Sequence, residues 1–386
     1  MFDFVLFENF YLAKNHYKDV CIIAEMLKRS GYTVAIADVF NEADQCHVPD
    51  VPHIIVDNKC VVPLEEYRSS FKLWQNLVNY YRRFRIAKYL KRVMLQLKGQ
   101  YRHLYAGSYY TRMSTAWLKE IPSSSSVFFW GLRSSRLIEH LHNHSLKNKI
   151  YSRRLRKYVD MHKNVKFFVS DELIREEFMG LGIPPIRLVH RPERLIEKLP
   201  ERRISHSSNL KLLSIGSIRE NKRIEIILDA LKDINDEMIY YTIAGKSSDE
   251  YNVLILDHMK GIKYVKRLNY RISDQEYEDL FMQCDFLVLC DKKQSSNVTN
   301  GTMNEALLKG IPIIAPNYPP YDYFVNQYQV GILFDPEDVN SLKDAILKAK
   351  HLGRMNFYED ILKYDEMFLF DNVVELFKKE LSEALK

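Results

Sequence analysis

The sequence predicts an α/β protein built from two doubly wound domains, each a parallel sheet covered by helices on both faces. Three observations carry this. Short apolar runs alternate with helical stretches over residues 1–190, and the same alternation restarts after residue 209. Between the two lies HRPERLIEKLPERRISHSSN, a charged segment broken by prolines that reads as a linker. Strand, helix and strand in that order imply parallel βαβ units, because parallel neighbours need a crossover long enough to hold a helix. A chain of 386 residues also fits two or three domains, at about 150 residues each.

The elements follow in order. FDFVLFE is an apolar run of strand length, KDVCIIAEMLKRSG an amphipathic helix stopped by Gly31, and YTVAIADVF the next strand. PHIIVDN, HLYAGSYY, SVFFWGLRSS and VKFFVSDEL supply further strands. Past the linker, KLLSIGS, MIYYTIAG, IKYVKRL, DFLVLC and IPIIAP are strands, separated by helical stretches such as SDQEYEDLFMQC. The expected boundaries are a first domain over 1–190, the linker over 191–209, and a ligand-binding domain over 210–360. The tail from Val339 is mostly helical, and 361–386 is expected to cross back to the first domain. Two such domains leave a cleft in which the carboxyl ends of both sheets face one ligand.

Composition excludes several classes. A hydrophobic fraction of 46% and an aromatic fraction of 12% are those of packed cores, not of a disordered chain. No stretch approaches the ~18 consecutive apolar residues of a membrane span, and the N-terminus lacks the pattern of a signal peptide. None of the five cysteines forms a CxxC; Cys21, Cys284 and Cys290 sit in apolar segments and read as buried free thiols, which fits a reducing, cytoplasmic setting.

Net charge is +6, but the basicity belongs to the first half: no Asp or Glu occurs between Arg68 and Lys119. Residues 71–98 read as an amphipathic helix, with Ile86, Leu90, Val93 and Leu97 on one face and Arg85, Lys88, Lys91 and Arg92 on the other. With Phe71, Trp74, Tyr80, Tyr81 and Phe84 it suits either an anionic membrane surface or a helix packed on the sheet with a solvated basic face. No nucleic-acid recognition module is legible, so no nucleic-acid partner is expected.

The residues that carry chemistry lie after the strand KLLSIGS. Gly216 opens a turn bearing Arg219 and Lys222, a fork and a point charge suited to a diphosphate; the bland alternative is a solvated basic loop. Further on, Ser295, Ser296, Asn297, Thr299 and Asn300 form a polar loop that opens a helix, GTMNEALLKG. Its N–H groups at Gly301, Thr302 and Met303 suit a phosphate, and Glu305, one turn in, suits ribose hydroxyls or merely the helix dipole. In the first domain, Lys14 and His16 precede the first helix, a ligand-facing place in an open α/β sheet, and Gly107 and Ser108 end a strand. The triplet His140, His142 and His144 would converge on a metal only if extended; the flanking sequence is helical or loop-like, and no metal is expected.

These residues resemble the retaining, nucleotide-sugar-dependent glycosyltransferases of group 1 with the GT-B fold, the family that includes the bacterial phosphatidylinositol mannosyltransferases. SIGSIRENKRIEIILDAL, TIAG, SDQEYEDLFMQCDFLVL, NEALLKGIPIIAP and VGILFDPED are similar to family blocks in the family's order, and VSDELIREEFMGLGIP is similar to the end of its acceptor domain. The family often carries two glutamates with seven residues between them; Glu305 matches the second and Asn297 stands at the first. Ser217 stands where an arginine is common, with Arg219 and Lys222 matching a variant pattern, and ENFYLAKNHYKD replaces the Gly-rich loop after the first strand.

The resemblance implies two Rossmann-like domains and transfer of a hexose from a nucleoside-diphosphate sugar, with retention and no metal or other cofactor. Arg219 and Lys222 would stabilise the leaving diphosphate, Glu305 would hold ribose, and Asn297, Thr299 and Asn300 would touch sugar or phosphates. A glycan or lipid-linked acceptor in surface polysaccharide or glycolipid assembly fits the basic first half, with the enzyme peripheral on the inner membrane face. The replaced glutamate and loop motivate a different class, a catalytically silent relative that binds a partner or a glycan.

Overall fold

The computed structural model describes residues 1–7, 17–38, 48–56, 74, 81, 91–108, 117–130, 153, 160–192, 195–201, 209–293 and 300–386. The chain divides into two compact units, Met1–Leu195 with Asp371–Lys386, and Ile196–Phe370.

The first unit is built on seven strands: β1 (Phe2–Leu6), β2 (Val34–Asp38), β3 (His53–Ile55), β4 (Tyr101–Ser108), β5 (Val127–Trp130), β6 (Val165–Val169) and β7 (Leu188–His190). Their order is β3-β2-β1-β4-β5-β6-β7, with every neighbour parallel. β6 is buried along its whole length, as a parallel strand covered on both faces must be. Helix α1 (Tyr17–Arg29) follows β1; α2 (Glu172–Gly180) follows β6 and starts where the Asp171 carboxylate accepts the Ile174 N–H at 3.0 Å. The core is aromatic: Phe128 stacks on Phe168 with centroids 4.9 Å apart, and Phe4 lies 5.9 Å from Phe128.

The second unit carries β8 (Leu210–Ile215), β9 (Ile239–Ala244), β10 (Val265–Leu268), β11 (Phe286–Val288), β12 (Ile313–Pro316) and β13 (Gly331–Phe334). They lie in the order β10-β9-β8-β11-β12-β13, again all parallel. Its helices are α3 (Ile224–Ile234), α4 (Asp249–His258), α5 (Asp274–Gln283), α6 (Gly301–Leu307), α7 (Tyr321–Tyr328), α8 (Val339–Leu352) and α9 (Tyr358–Glu366). Counted within each unit, the strand order is that of a doubly wound nucleotide-binding sheet, reversing between β1 and β4 and between β8 and β11. At such a reversal the connections leave the two strands towards opposite faces, and in the second sheet a crevice is expected at the carboxyl ends of β8 and β11.

The chain leaves the second unit beside its entry: Ile196 bridges Leu369, with the Ile196 N–H on the Phe368 carbonyl at 3.0 Å. Residues 361–386, read from the sequence as one helix, divide between α9 and a last helix α10 (Phe370–Leu385). From Asp371 onward α10 belongs to the first unit. Glu380 receives both 2.8 Å bonds of a fork from Arg175 and the His190 N–H at 2.5 Å, Lys166 Nζ donates to the Ala384 carbonyl, and Phe377 sits 5.5 Å from Phe168. Within the span 71–98 the described residues 91–97 are helical, with Val93 and Leu97 buried and Lys91 and Arg92 exposed, so that face covers core.

One of the three cysteines differs from expectation. Cys284 and Cys290 are buried free thiols, but Cys21 is disulfide-bonded. Spacing excludes a CxxC and says nothing of a pair made through space, and this bond removes the support that free thiols lent to a reducing compartment.

Candidate functional site: the switch point of the second sheet

The site is assembled by the turns that follow β8, β9 and β11. Gly216 ends β8 with φ +104°, a conformation open to glycine. A Cβ placed there would lie 3.7 Å from Thr302 Oγ1 and 3.9 Å from Lys222 Nζ. The hydroxyl at the start of α6 and the amine from the β8 turn therefore converge over this glycine. Gly245, after β9, has φ +133°, and a Cβ on it would fall 1.7 Å from the Gly216 carbonyl oxygen. The two turns touch backbone to backbone. Arg267 braces the second turn, donating to the carbonyls of Gly245 at 2.8 Å and Leu268 at 2.9 Å and to Ser247 Oγ at 2.9 Å.

Lys222 closes a 3-10 turn, Glu220–Lys222, and is half-buried with Nζ donating to the Ile215 carbonyl at 3.1 Å. Burial lowers its pKa, the Asp291 carboxylate opposes that, and Arg219 adds to it. Arg219 is exposed, its Nε on Ser217 Oγ at 3.1 Å. Arg223, next in the chain, takes a left-handed φ of +49° to turn into α3, and its guanidinium holds the Pro336 carbonyl at 3.0 Å. The short turn is thereby fixed at both ends.

Asp291, just beyond β11, is 4% exposed and joins three elements. Its Oδ2 accepts from Tyr321 OH at 3.0 Å and from Asn300 Nδ2 at 3.1 Å, and its main-chain carbonyl accepts from Tyr318 OH. Lys292 N–H donates to the Asn221 carbonyl at 2.7 Å, tying this corner to the Lys222 turn. Burial and the Asp291 charge push the Tyr318 and Tyr321 phenols above their ordinary range, so both remain donors.

Asn300 caps α6, its Oδ1 accepting the Thr302 N–H at 2.9 Å. The side chain is thus occupied by α6 and by Asp291, and the Thr302 N–H by the cap. Gly301 is exposed and Thr302 half-buried, while the Met303 side chain belongs to the core, leaving only its backbone for a ligand. Glu305 is half-buried and accepts from Tyr277 OH of α5.

The structure therefore brings together Gly216, Lys222, Thr302 and, through Asp291, Asn300; Arg219 shares the Lys222 turn. Asn297 and Thr299 lie outside the described residues, as do Lys14, His16 and the histidines at 140, 142 and 144. Ser108 ends β4, at the reversal of the first sheet, after Gly107 with φ +54°. Among the described residues no group of three His, Cys, Asp or Glu is placed to hold a metal ion, and no helix is long and apolar enough to cross a membrane. Sequence reasoning missed Asp291, Tyr277, Tyr318, Tyr321 and Gly245. Asp291 and Gly245 carry a signal, a polar residue or a glycine directly past an apolar strand; the tyrosines carry none.

Residues 196–365 match the family model of glycosyl transferases group 1. The second unit is similar to that family over nearly its whole length. The family blocks read from the second half of the sequence, from SIGSIRENKRIEIILDAL to VGILFDPED, fall inside the matched residues. HepE of Anabaena, solved with UDP, superposes with a TM-score of 0.67 at 12% identity, over 98% of this chain and 99% of that one. A sucrose-phosphate synthase from Thermosynechococcus elongatus gives 0.66 at 14% identity, over 97% and 96%. The lipopolysaccharide outer core galactosyltransferase WaaB gives 0.61 at 13% identity, over 98% and 99%. At these identities the likeness is one of fold, here the two-domain GT-B glycosyltransferase fold along the whole chain. No curated protein matches the sequence. The matched residues contain every part of the switch-point site, from Gly216 to Tyr321.

Proposed function

We propose that the protein transfers a hexose from a nucleoside-diphosphate sugar to a glycan or lipid-linked acceptor, with retention and without a metal. The observation that carries this is the convergence of Lys222 Nζ and Thr302 Oγ1 over Gly216, with Arg219 exposed on the same turn. Two cations, a hydroxyl and a glycine that lets a ligand approach the backbone suit a diphosphate. Arg219 and Lys222 would bind it and stabilise the charge that grows on it as the sugar leaves, an electrostatic contribution from groups already in place. The departing phosphate would take the acceptor's proton, so the chemistry needs no separate base. Glu305 would accept from the ribose hydroxyls, with Asn297 and Thr299 at the sugar.

HepE has been solved with UDP and with UDP-glucose, which makes UDP the first nucleotide to test. WaaB acts on the lipopolysaccharide outer core, and WaaG is a glycosyltransferase of lipopolysaccharide biosynthesis; both favour an acceptor in surface-glycan assembly. The acceptor would meet the first unit near Lys14, His16 and Ser108. The reaction would run in the cytoplasm, with the basic span 71–98 on the inner membrane face; failure to sediment with anionic vesicles at low salt would refute that location.

The decisive experiment is a thermal-shift screen with UDP, GDP, ADP and CMP on the wild type, Arg219→Ala and Lys222→Ala. A ligand at about 100 times its Kd stabilises the native state by about 2.7 kcal/mol. One nucleoside diphosphate should shift the wild type and neither variant. No shift with any nucleotide would overturn the reading in favour of a silent relative that binds a partner or a glycan.

A further inference from the structure

We propose that Tyr277 is a positioning residue for the ribose of the donor, holding the Glu305 carboxylate in the rotamer that meets the ribose hydroxyls. The inference rests on the donor site proposed above and adds to it a residue that makes no contact with the nucleotide itself.

Thr302 and Glu305 are three positions apart on α6 and share one face of that helix. Thr302 Oγ1 lies over Gly216, so this face is the one turned to the β8 turn. Tyr277, from the neighbouring helix α5, donates its hydroxyl to Glu305 Oε2. The donor is itself fixed. The Tyr277 ring packs edge-on against Phe281, with centroids 5.0 Å apart and planes at 65°, and Phe281 is fully buried. Lys309, just past α6, pairs with Glu278 of α5 and places Nζ 5.9 Å from the centre of the Phe281 ring. The two helices are therefore also joined one turn beyond the tyrosine.

A half-buried glutamate on a surface helix has several rotamers, and one that must accept from two ribose hydroxyls loses that freedom when the nucleotide arrives. A rigid phenol bonded to one carboxylate oxygen moves the loss to folding. The carboxylate is then held in one orientation before the nucleotide arrives. Tyr277→Phe deletes one oxygen and keeps the ring on Phe281, so the packing of α5 on α6 persists.

The test compares Kd values for the nucleotide from the UDP, GDP, ADP and CMP panel that stabilises the wild type, and for its 2′,3′-dideoxy counterpart. Tyr277→Phe should weaken the ribonucleotide about fivefold, the scale of one hydrogen bond, and leave the dideoxy form unchanged. Glu305→Gln should show the same ribose-selective loss, and the double variant should lose little beyond either alone, because both act through one contact. An equal loss for both ligands, or none for either, would overturn the role of Tyr277 while the diphosphate site stands. A wild type that binds ribo and dideoxy forms alike would remove Glu305 from the ribose and the tyrosine's role with it. Absence of binding by every nucleotide would refute the donor site and this inference together.

Discussion

Asp365, on α9, should make the second unit less stable as pH rises, and its replacement by asparagine should reverse this. The residue is 0% exposed, and neither carboxylate oxygen has a hydrogen-bond partner among the described residues. Burial alone pushes its pKa from 3.8 to about 8, with no charged group contributing. At pH 7 the folded protein therefore holds a neutral acid while the unfolded chain releases the proton. Stability is undiminished below the unfolded pKa near 4, falls as pH rises, and stops falling above the folded pKa near 8. The slope within that window approaches one proton, about 1.4 kcal/mol per pH unit. From pH 3.8 to pH 7 the loss is about 4 kcal/mol, a large share of the roughly 5–15 kcal/mol that holds a domain folded. An amide in the same place does not ionise but still buries unpaired polar atoms. Asp365→Asn should therefore recover only about 1–3 kcal/mol at pH 7. Urea unfolding between pH 4.5 and pH 8, followed by calorimetry to separate the two units, measures both quantities. A variant less stable than wild type at pH 7, or one with the wild-type pH slope, would show that the carboxylate is ionised and paired in the native state.

Three other expectations follow from the geometry. Gly245→Ala places a methyl 1.7 Å from the Gly216 carbonyl oxygen at φ +133°, so the two turns must part; it should cost at least about 2 kcal/mol and abolish nucleotide binding. Gly261→Ala, at φ +87° with nothing within 4 Å, should cost about 1 kcal/mol and leave binding intact, and equal behaviour of the two in thermal shift and titration would refute the close-contact argument. Asp291→Asn keeps an acceptor for Tyr321 and Asn300 but removes the charge that raises the Lys222 pKa, so the alkaline limit of nucleotide binding should move to lower pH; an unmoved limit in a pH series of Kd would sever the two residues. Glu380→Ala leaves Arg175 and the His190 N–H without their shared acceptor and should destabilise the first unit by about 1–3 kcal/mol in urea melts, with the second unit's transition unchanged.

The strands were legible because parallel strands buried on both faces are mostly apolar runs: VKFFV and KLLSI, each with one or two polar residues among apolar ones, are both strands. β7 and β13 escaped that reading as sheet-edge strands only three and four residues long. The Gly216 turn was legible for a different reason: a glycine between a strand and a helix, followed by two cations, has few other uses. What stayed hidden is what the fold makes between distant segments. Tyr277 and Glu305 are 28 positions apart, and Arg175 and Glu380 are 205 apart. No local period or spacing marks such pairs, and Cys21 failed for the same reason.

A buried aspartate next to the proposed diphosphate site looks misplaced, since like charges repel. The resolution lies in what the Asp291 charge faces. One oxygen already accepts from Tyr321 and Asn300, so the carboxylate is solvated by fixed donors and directs its residual field at Lys222. Lys222 needs such a field. Half-buried against the Ile215 carbonyl, its amine loses hydration, and burial favours the neutral form. A neutral amine would have to gain a proton when the diphosphate arrived. Asp291 offsets part of that burial penalty and so favours the charged amine, whose Nζ stands over Gly216. The same aspartate fixes Asn300, the residue that starts α6 and sets Thr302 over that glycine. Cation and helix start are thus held in register by one buried charge, which explains why it lies between them instead of in solvent.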